Sequence, residues 1–459
     1  MAGLSTPDWL RQRAATTPRR NALRGASEAW SFAELDARVD RAAALLLSWK
    51  VRSGDRVGIR AQNSAGYVVA VHALMRLGAV LVPINTRLTD AEVEWQAHDA
   101  RLARILTDVD LAALLESPAA KSHPREFAFE EYHSVLYTSG TTGKPKGAIL
   151  TYGNHWWSAT ASALNLGLLP DDSWLVCLPL FHVGGLSILL RSVICGITAL
   201  VQPRFDAAEV NRAIDEQGLS IVSLVSTMLD RMLSLRDGRH YPSTLRCVLL
   251  GGGPAPLPLL ERAAALGIPV VQTYGLTETA SQLTTLAPED AITKLGSAGK
   301  PLMGSQLRLG PEGEILVRGP SVSPGYLNGT TAVDADGWLH TGDLGRLDED
   351  GYLYVLDRRD DLIVSGGENV YPAEVEAALL AHAAVADAGV IGVPDAEWGR
   401  TVAAFVVLAN GSAVTSQELR AFCGERLAAY KVPRSIEFRE SLPRNAAGKL
   451  LRRELRLSA

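Results

Sequence analysis

The chain has 459 residues, enough for two or three domains and a large core. Hydrophobic residues make up 47%, charged residues 21%, and the net charge is −5, which argues against a nucleic-acid binder with its basic excess. The 41 glycines and 23 prolines are scattered, so the chain is not of low complexity. The first twenty residues carry arginines without an apolar run, so no secretory signal is expected. Ser31 and Glu34 form a capping box before a helix ending near Trp49, followed by a short strand at Val57 to Arg60. Ala65 to Leu77 reads as a helix and Ala79 to Ile84 as a buried strand. The stretch from Tyr67 to Ile84 is interrupted by His72 and Arg76, so no integral membrane segment is expected. Thr89 and Glu92 cap a further helix.

Strands at Ile221 to Leu224, Cys247 to Leu250 and Pro269 to Val271 resume the alternation, which predicts an α/β fold of parallel-rich sheets covered by helices. After about Leu295 short β segments follow at Gln306 to Leu309, Glu314 to Arg318 and Gly351 to Leu356, a compact β subdomain at about 295–357. A small α+β unit comes last, with helices at Ala373 to His382 and Gln417 to Ala429. The charged run Asp357 to Asp361 marks the junction, dividing the chain into 1–359 and 360–459. Cys177, Cys195, Cys247 and Cys423 form no CxxC pair, so a zinc or redox motif is not expected. The first three lie in apolar runs and read as buried small hydrophobes, which suits a reducing, cytoplasmic setting.

After the apolar Leu136-Tyr137 comes a loop dense in glycines, hydroxyls and lysines: Thr138, Ser139, Gly140, Thr141, Thr142, Gly143, Lys144 and, past Pro145, Lys146. Glycines let backbone N–H groups close on an anion, and the lysines add charge, so the loop reads as a polyphosphate clamp. Its spacing is not that of a Walker loop. YTSGTTGKPKG resembles the signature of the adenylate-forming superfamily of acyl- and aryl-CoA synthetases, luciferases and peptide-synthetase adenylation domains, and the likeness runs from about residue 30 to Lys449.

The resemblance assigns the remaining motifs. Tyr274-Gly275-Leu276-Thr277-Glu278 matches the second nucleotide motif, with Thr277 on the α-phosphate and Glu278 on Mg²⁺. Gly251, Gly252, Gly253 and Pro254 would flank adenine at a strand's carboxyl end. Asp343 would hold the ribose, with Arg358 near ribose and phosphate. His182 would lie against the acyl carboxylate, although by chemistry alone a histidine in so apolar a segment reads as a core residue. Gly366 and Gly367 would line the pantetheine path. Lys449 would stabilise the charge formed during adenylation, and Asp360 matches the hinge of a mobile C-terminal domain. Arg426, Lys431 and Arg434 could meet the CoA phosphates, unless they are merely solvated.

No Asp or Glu lies between Leu178 and Gly196, so the acid is expected to lack a free amine. No carrier domain is expected after Lys449, which favours CoA as the thiol. Thr151 to His155, Ser162 to Gly167, Leu178 to Leu186, Leu249 to Leu260, Lys294 to Pro301 and Leu356 to Leu362 are similar to the 2-succinylbenzoate–CoA ligases of menaquinone synthesis. This implies an aromatic acid with a second carboxylate, for which Arg191, Ser226 and Thr227 are the candidates, Arg191 reading equally well as a surface residue on a helix. The implied partners are that acid, ATP with Mg²⁺, and CoA; a homo-oligomer is compatible with the sequence. The alternatives are a ligase for another aryl or medium-chain acid, and a non-catalytic nucleotide-binding relative.

Overall fold

The structure, a computed structural model, describes residues 3–25, 29–122, 125–138, 145–252, 255, 257–358, 363–370, 372–409, 411–443 and 452–457. The chain divides into two compact units. The first comprises Met1–Thr86, Ala100–Leu136 and Gly147–Asp357, and the second Arg87–Asp99, Tyr137–Lys146 and Arg358–Ala459.

The first unit is built on a nine-stranded sheet. From Asn21–Arg24 the order runs through Thr198–Val201, Ser173–Val176, Ile221–Leu224 and Cys247–Leu250 to Val270–Tyr274, all parallel. These strands are short apolar runs, as parallel strands covered on both faces must be. Short antiparallel strands, Ala29–Ser31 at one edge and Thr284–Thr285 with Lys300–Pro301 at the other, close it. A six-stranded sheet orders Gly325–Tyr326, Lys146–Thr151, Tyr132–Thr138, Val80–Pro83, Arg56–Arg60 and Arg104–Thr107. The unit boundary falls within two of its strands. Gln306–Leu309, Glu314–Arg318, Leu339–Leu347 and Leu353–Arg358 form a four-stranded sheet, its first three strands antiparallel.

Local signals set the helices. The capping box of Ser31 and Glu34 starts Phe32–Ser48, and Ser64 caps Ala65–Leu77, which stops at Gly78 in the left-handed region. The second helix is buried almost throughout, Arg76 included. Arg76 donates to Asp8 at 2.7 Å, Asp36 at 2.6 Å and Asp40 at 2.9 Å, and so ties the N-terminal helix Trp9–Thr16 and Phe32–Ser48 together. Burial holds the Asp36 carboxyl above its ordinary range despite Arg76. Burial also pushes Asp40 upward, but hydrogen bonds from Arg11 and Ser122 and the charge of Arg76 outweigh it and hold that carboxyl low.

In the second unit Gly399–Leu408 lies antiparallel to Val385–Asp395 and Ile363–Ser365, and parallel to Ser435–Phe438. Helices Pro372–Leu380 and Ser416–Gly424 belong to this unit, and Val375, Leu379, Leu419 and Cys423 enter its core. The second helix is shorter than the expected 417–429. Ala428 takes an extended ψ of 146°, and a 3₁₀ turn carries Lys431 inward. Cys177, Cys247 and Cys423 are buried, whereas Cys195 is only half-buried, close to its helix's end at Gly196. No described helix is long and apolar enough to cross a membrane.

Candidate active site

Brändén's rule places ligands at the carboxyl ends of parallel strands, and several predicted residues stand there. Strand Val270–Tyr274 delivers Tyr274, Gly275, Thr277 and Glu278. A Cβ on Gly275 would come within 1.6 Å of the Ser281 carbonyl oxygen, so only glycine permits this turn. Thr277–Thr279 forms one 3₁₀ turn. Ala280 (φ 52°) and Ser281 (φ 93°) then occupy the left-handed region, which costs an L-residue about 1 kcal/mol or more. Hydrogen bonds offset that cost. The Leu276 N–H donates to Thr279 Oγ1 at 2.8 Å, and Thr279 Oγ1 donates to the Ser281 carbonyl at 3.1 Å. The Glu278 carbonyl accepts from Ser323 N–H at 2.7 Å, and its Oε1 accepts from the Tyr326 hydroxyl at 2.9 Å.

The Tyr274 hydroxyl donates to Asp343 Oδ2 at 2.8 Å. Asp343 is 5% exposed, and Thr341 Oγ1, which itself donates to the Ile315 carbonyl at 2.7 Å, accepts from the Asp343 N–H at 3.1 Å. Two motifs 69 residues apart thus share one hydrogen bond. Gly252 follows strand Cys247–Leu250 at φ 83°, and Ser226 opens helix Ser226–Arg236 immediately after strand Ile221–Leu224.

Arg191 lies in the helix Val183–Cys195 and is 1% exposed, which corrects the surface alternative. Among the described residues no acidic side chain is within ion-pair distance of it. Its Nη2 lies 3.4 Å from Ser158 Oγ, its guanidinium stands 5.4 Å from the Trp174 ring centroid, and its Nε is buried without a partner. Burial lowers its pKa to about 10. Nearby, His155 contacts Ser134 Oγ at 3.1 Å and stacks edge-on with His133. Burial holds both rings neutral, pushing His155 down to about 3.

His182 is exposed at the start of the Arg191 helix, its ring 4.6 Å from that of Phe181, so it is not a core histidine. A Cβ on Gly185 would reach within 2.4 Å of the Pro179 carbonyl, which fixes the turn that presents His182.

In the second unit, Thr138 Oγ1 meets the Lys146 carbonyl at 3.4 Å. Gly366 and Gly367 turn a hairpin at φ 57° and 84°, and a Cβ on Gly366 would strike Trp398. Lys431 is 4% exposed. Burial opposes its charge, but Glu374 at 2.7 Å and Glu92 at 3.2 Å outweigh burial and raise its pKa. A lysine so engaged does not serve as a solvated phosphate contact, and this expectation is corrected. Arg426 and Arg434 stack on Phe422 and Trp398.

Ser139, Gly140, Thr141, Thr142, Gly143, Lys144, Gly253, Pro254, Asp360 and Lys449 lie outside the described residues, as do the side chains of Thr227 and Arg358. Among the described residues no group of three or more acidic, His or Cys side chains is placed to hold a metal. Mg²⁺ does not need such a cage, because it shares its oxygen ligands with substrate phosphates. A single oriented carboxylate such as Glu278 suits it. Ser158, Trp174 and Tyr326 were not singled out from sequence, because their partners are distant along the chain.

Residues 10–327 match the AMP-binding enzyme family and residues 374–449 the AMP-binding enzyme C-terminal domain. A 2-succinylbenzoate–CoA ligase of Bacillus cereus is 50% identical over 98% of both chains. A solved double mutant of o-succinylbenzoate CoA synthetase from Bacillus subtilis, bound to its product analogue OSB-NCoA, superposes with a TM-score of 0.94 at 45% identity, covering 98% of each chain. The same enzyme in complex with ATP and magnesium ion gives 0.74 at 45% identity, covering 98% of this chain and 100% of that one. With the family's sequence matched over most of its length, its fold reproduced and its strand-end motifs in place, this chain belongs to the AMP-binding, adenylate-forming enzymes.

Proposed function

We propose that the chain is an AMP-forming 2-succinylbenzoate–CoA ligase, serving menaquinone synthesis. The observation that carries the choice of acid is Arg191, a buried guanidinium with no acidic partner among the described residues and an unpartnered Nε. A buried unpaired charge costs several kcal/mol, and a substrate's second carboxylate would offset that cost through charge-assisted hydrogen bonds. Ser226, with Thr227, would supply hydroxyls to the same acid, and the exposed His182 would meet its reacting carboxylate.

The reaction has two steps. A carboxylate oxygen attacks the α-phosphorus of ATP, the bond to the β-phosphate oxygen breaks, and pyrophosphate leaves. The CoA sulfur then attacks the acyl carbon, its proton passes to solvent, and the bond to AMP breaks. Phosphoryl chemistry of this kind rests on positioning and charge stabilisation. Thr277 would hold the α-phosphate, Asp343 with Tyr274 behind it the ribose, and Gly252 to Pro254 the adenine. Thr138 to Lys146 would hold the departing pyrophosphate, with Arg358 beside ribose and phosphate. Mg²⁺ on Glu278 would neutralise phosphate charge. Lys449 would act on the attacking carboxylate and α-phosphate, Asp360 would be the pivot between steps, and Gly366 and Gly367 would admit the thiol arm.

Pyrophosphate release against a panel of acids, with and without CoA, tests the reading. Turnover of 2-succinylbenzoate with Arg191→Gln raising its KM roughly 10- to 100-fold is the expected result, the scale of a lost charged hydrogen bond. Turnover of simple benzoate but not of 2-succinylbenzoate would overturn the choice of acid. Nucleotide binding without pyrophosphate release from any acid would make the chain a non-catalytic relative.

A further inference from the structure

We infer that Ser158 is a positioning residue that couples recognition of the acid to the turn carrying Thr277 and Glu278. The inference rests on the reading of Arg191 given above. Ser158 projects from the helix Tyr152–Leu166 and is 2% exposed. A serine hydroxyl has one proton to give and two lone pairs. The proton goes to the Ala280 carbonyl at 2.7 Å, and a lone pair remains for Arg191 Nη2 at 3.4 Å. One buried oxygen therefore touches both the guanidinium and the backbone of the turn, at the residue where the chain becomes left-handed.

Both sides of this contact are otherwise restrained. The Trp174 ring beside Arg191 is fixed by its own Nε1–H donating to Ser223 Oγ at 2.9 Å. The turn is fixed by Gly275 against Ser281 and by the bonds to Ser323 and Tyr326. The Ser158–Arg191 contact is the long one of the set, so it is the one with room to shorten. A carboxylate that draws the guanidinium into a new position changes its grip on Ser158. Through the short bond to Ala280, that change reaches the turn. An acid lacking the second carboxylate would leave the contact as it is.

A mutant cycle of Ser158→Ala and Arg191→Gln tests this, read as KM for 2-succinylbenzoate and kcat of pyrophosphate release at saturating ATP. Ser158→Ala is expected to raise KM about tenfold and to lower kcat, and Ser158→Thr, which keeps the hydroxyl, to bring KM back within about twofold. In the Arg191→Gln background Ser158→Ala should lower kcat but no longer move KM. Equal KM rises in both backgrounds would show independent, structural effects and overturn the coupling, as would an unchanged KM in Ser158→Ala. Should the alanine protein fail to accumulate, Ser158→Cys carries the same comparison with the same outcomes. Arg191→Gln with an unaltered KM for the diacid is a separate result, and it refutes the reading of Arg191 itself.

Discussion

Replacing Arg76 by methionine isolates what the buried N-terminal ion cluster contributes. Asp8, Asp36 and Asp40 all bond to Arg76, and their side chains are 7%, 11% and 7% exposed. Arg11 still reaches Asp36 at 3.1 Å and also bonds Asp40. Among the pairs described, only Asp8 loses its single cation. A buried carboxylate without a cation either stays charged at high cost or takes up a proton. For an ordinary carboxyl at pH 7, proton uptake costs about 4 kcal/mol, at ~1.4 kcal/mol per pH unit. Methionine keeps most of the apolar stem, so the expected loss is about 4 kcal/mol, within the range seen on breaking buried pairs. At pH 5 the proton costs less, and the difference from the parent protein at that pH should shrink by roughly 3 kcal/mol. Urea unfolding followed by tryptophan fluorescence measures both values, since Trp9 stands directly beside Asp8. Adding Asp8→Asn to Arg76→Met should recover about half of the loss by removing the orphaned charge. A loss below about 1 kcal/mol, or one equal at the two pH values, would refute the assignment of the cost to buried charge.

Burial holds His72 at about 4, His155 at about 3 and His133 well below its ordinary value. These depressed folded-state values give stability that is complete above the unfolded pKa of about 6.5 and is lost as pH falls toward the folded values. The slope should be about 1.4 kcal/mol per pH unit for each ring, and His133→Phe should remove one ring's share in urea titrations across this window. Gly275→Ala forces a Cβ into the Ser281 carbonyl and should lower pyrophosphate release at least about 100-fold while ATP remains bound weakly, a displacement of the turn rather than a loss of chemistry. Lys449→Ala should lose adenylation yet still convert supplied acyl-AMP to thioester, and adenylation at the parent rate would remove Lys449 from its proposed role.

The elements legible in sequence were those with local causes. The Ser31–Glu34 and Thr89–Glu92 boxes start helices where expected, and short apolar runs became the parallel strands. The glycine of Tyr274-Gly275-Leu276 announced a tight turn, but nothing local disclosed that Ser281 closes on it. The burial of Arg191 was half-legible: the helix Val183–Cys195 is apolar around its whole circumference, so its single charge had to be buried as well. Its partner was not, because Ser158 lies 33 residues away and bonds to a carbonyl 122 residues further on. Lys431 misled for the same reason. It sits near the end of the chain, where charged residues are usually solvated, yet its carboxylate partner Glu92 stands 339 residues earlier. His182 misled in the opposite direction. The apolar residues that follow enter the core through the helix, while His182 itself occupies the exposed cap position before it.

That separation bears on how the second unit is made. Its segment Arg87–Asp99 is synthesised long before Arg358–Ala459, so during translation Glu92 emerges without Lys431, and Arg87 without Glu368. Those two pairs form only after the last segment is made. A fragment beginning at Arg358 would carry Glu374 and Lys431 but neither Glu92 nor Arg87. A rotation of the last hundred residues about Asp360 would part the same two pairs, Lys431 with Glu92 and Arg87 with Glu368, while leaving Lys431 with Glu374 intact.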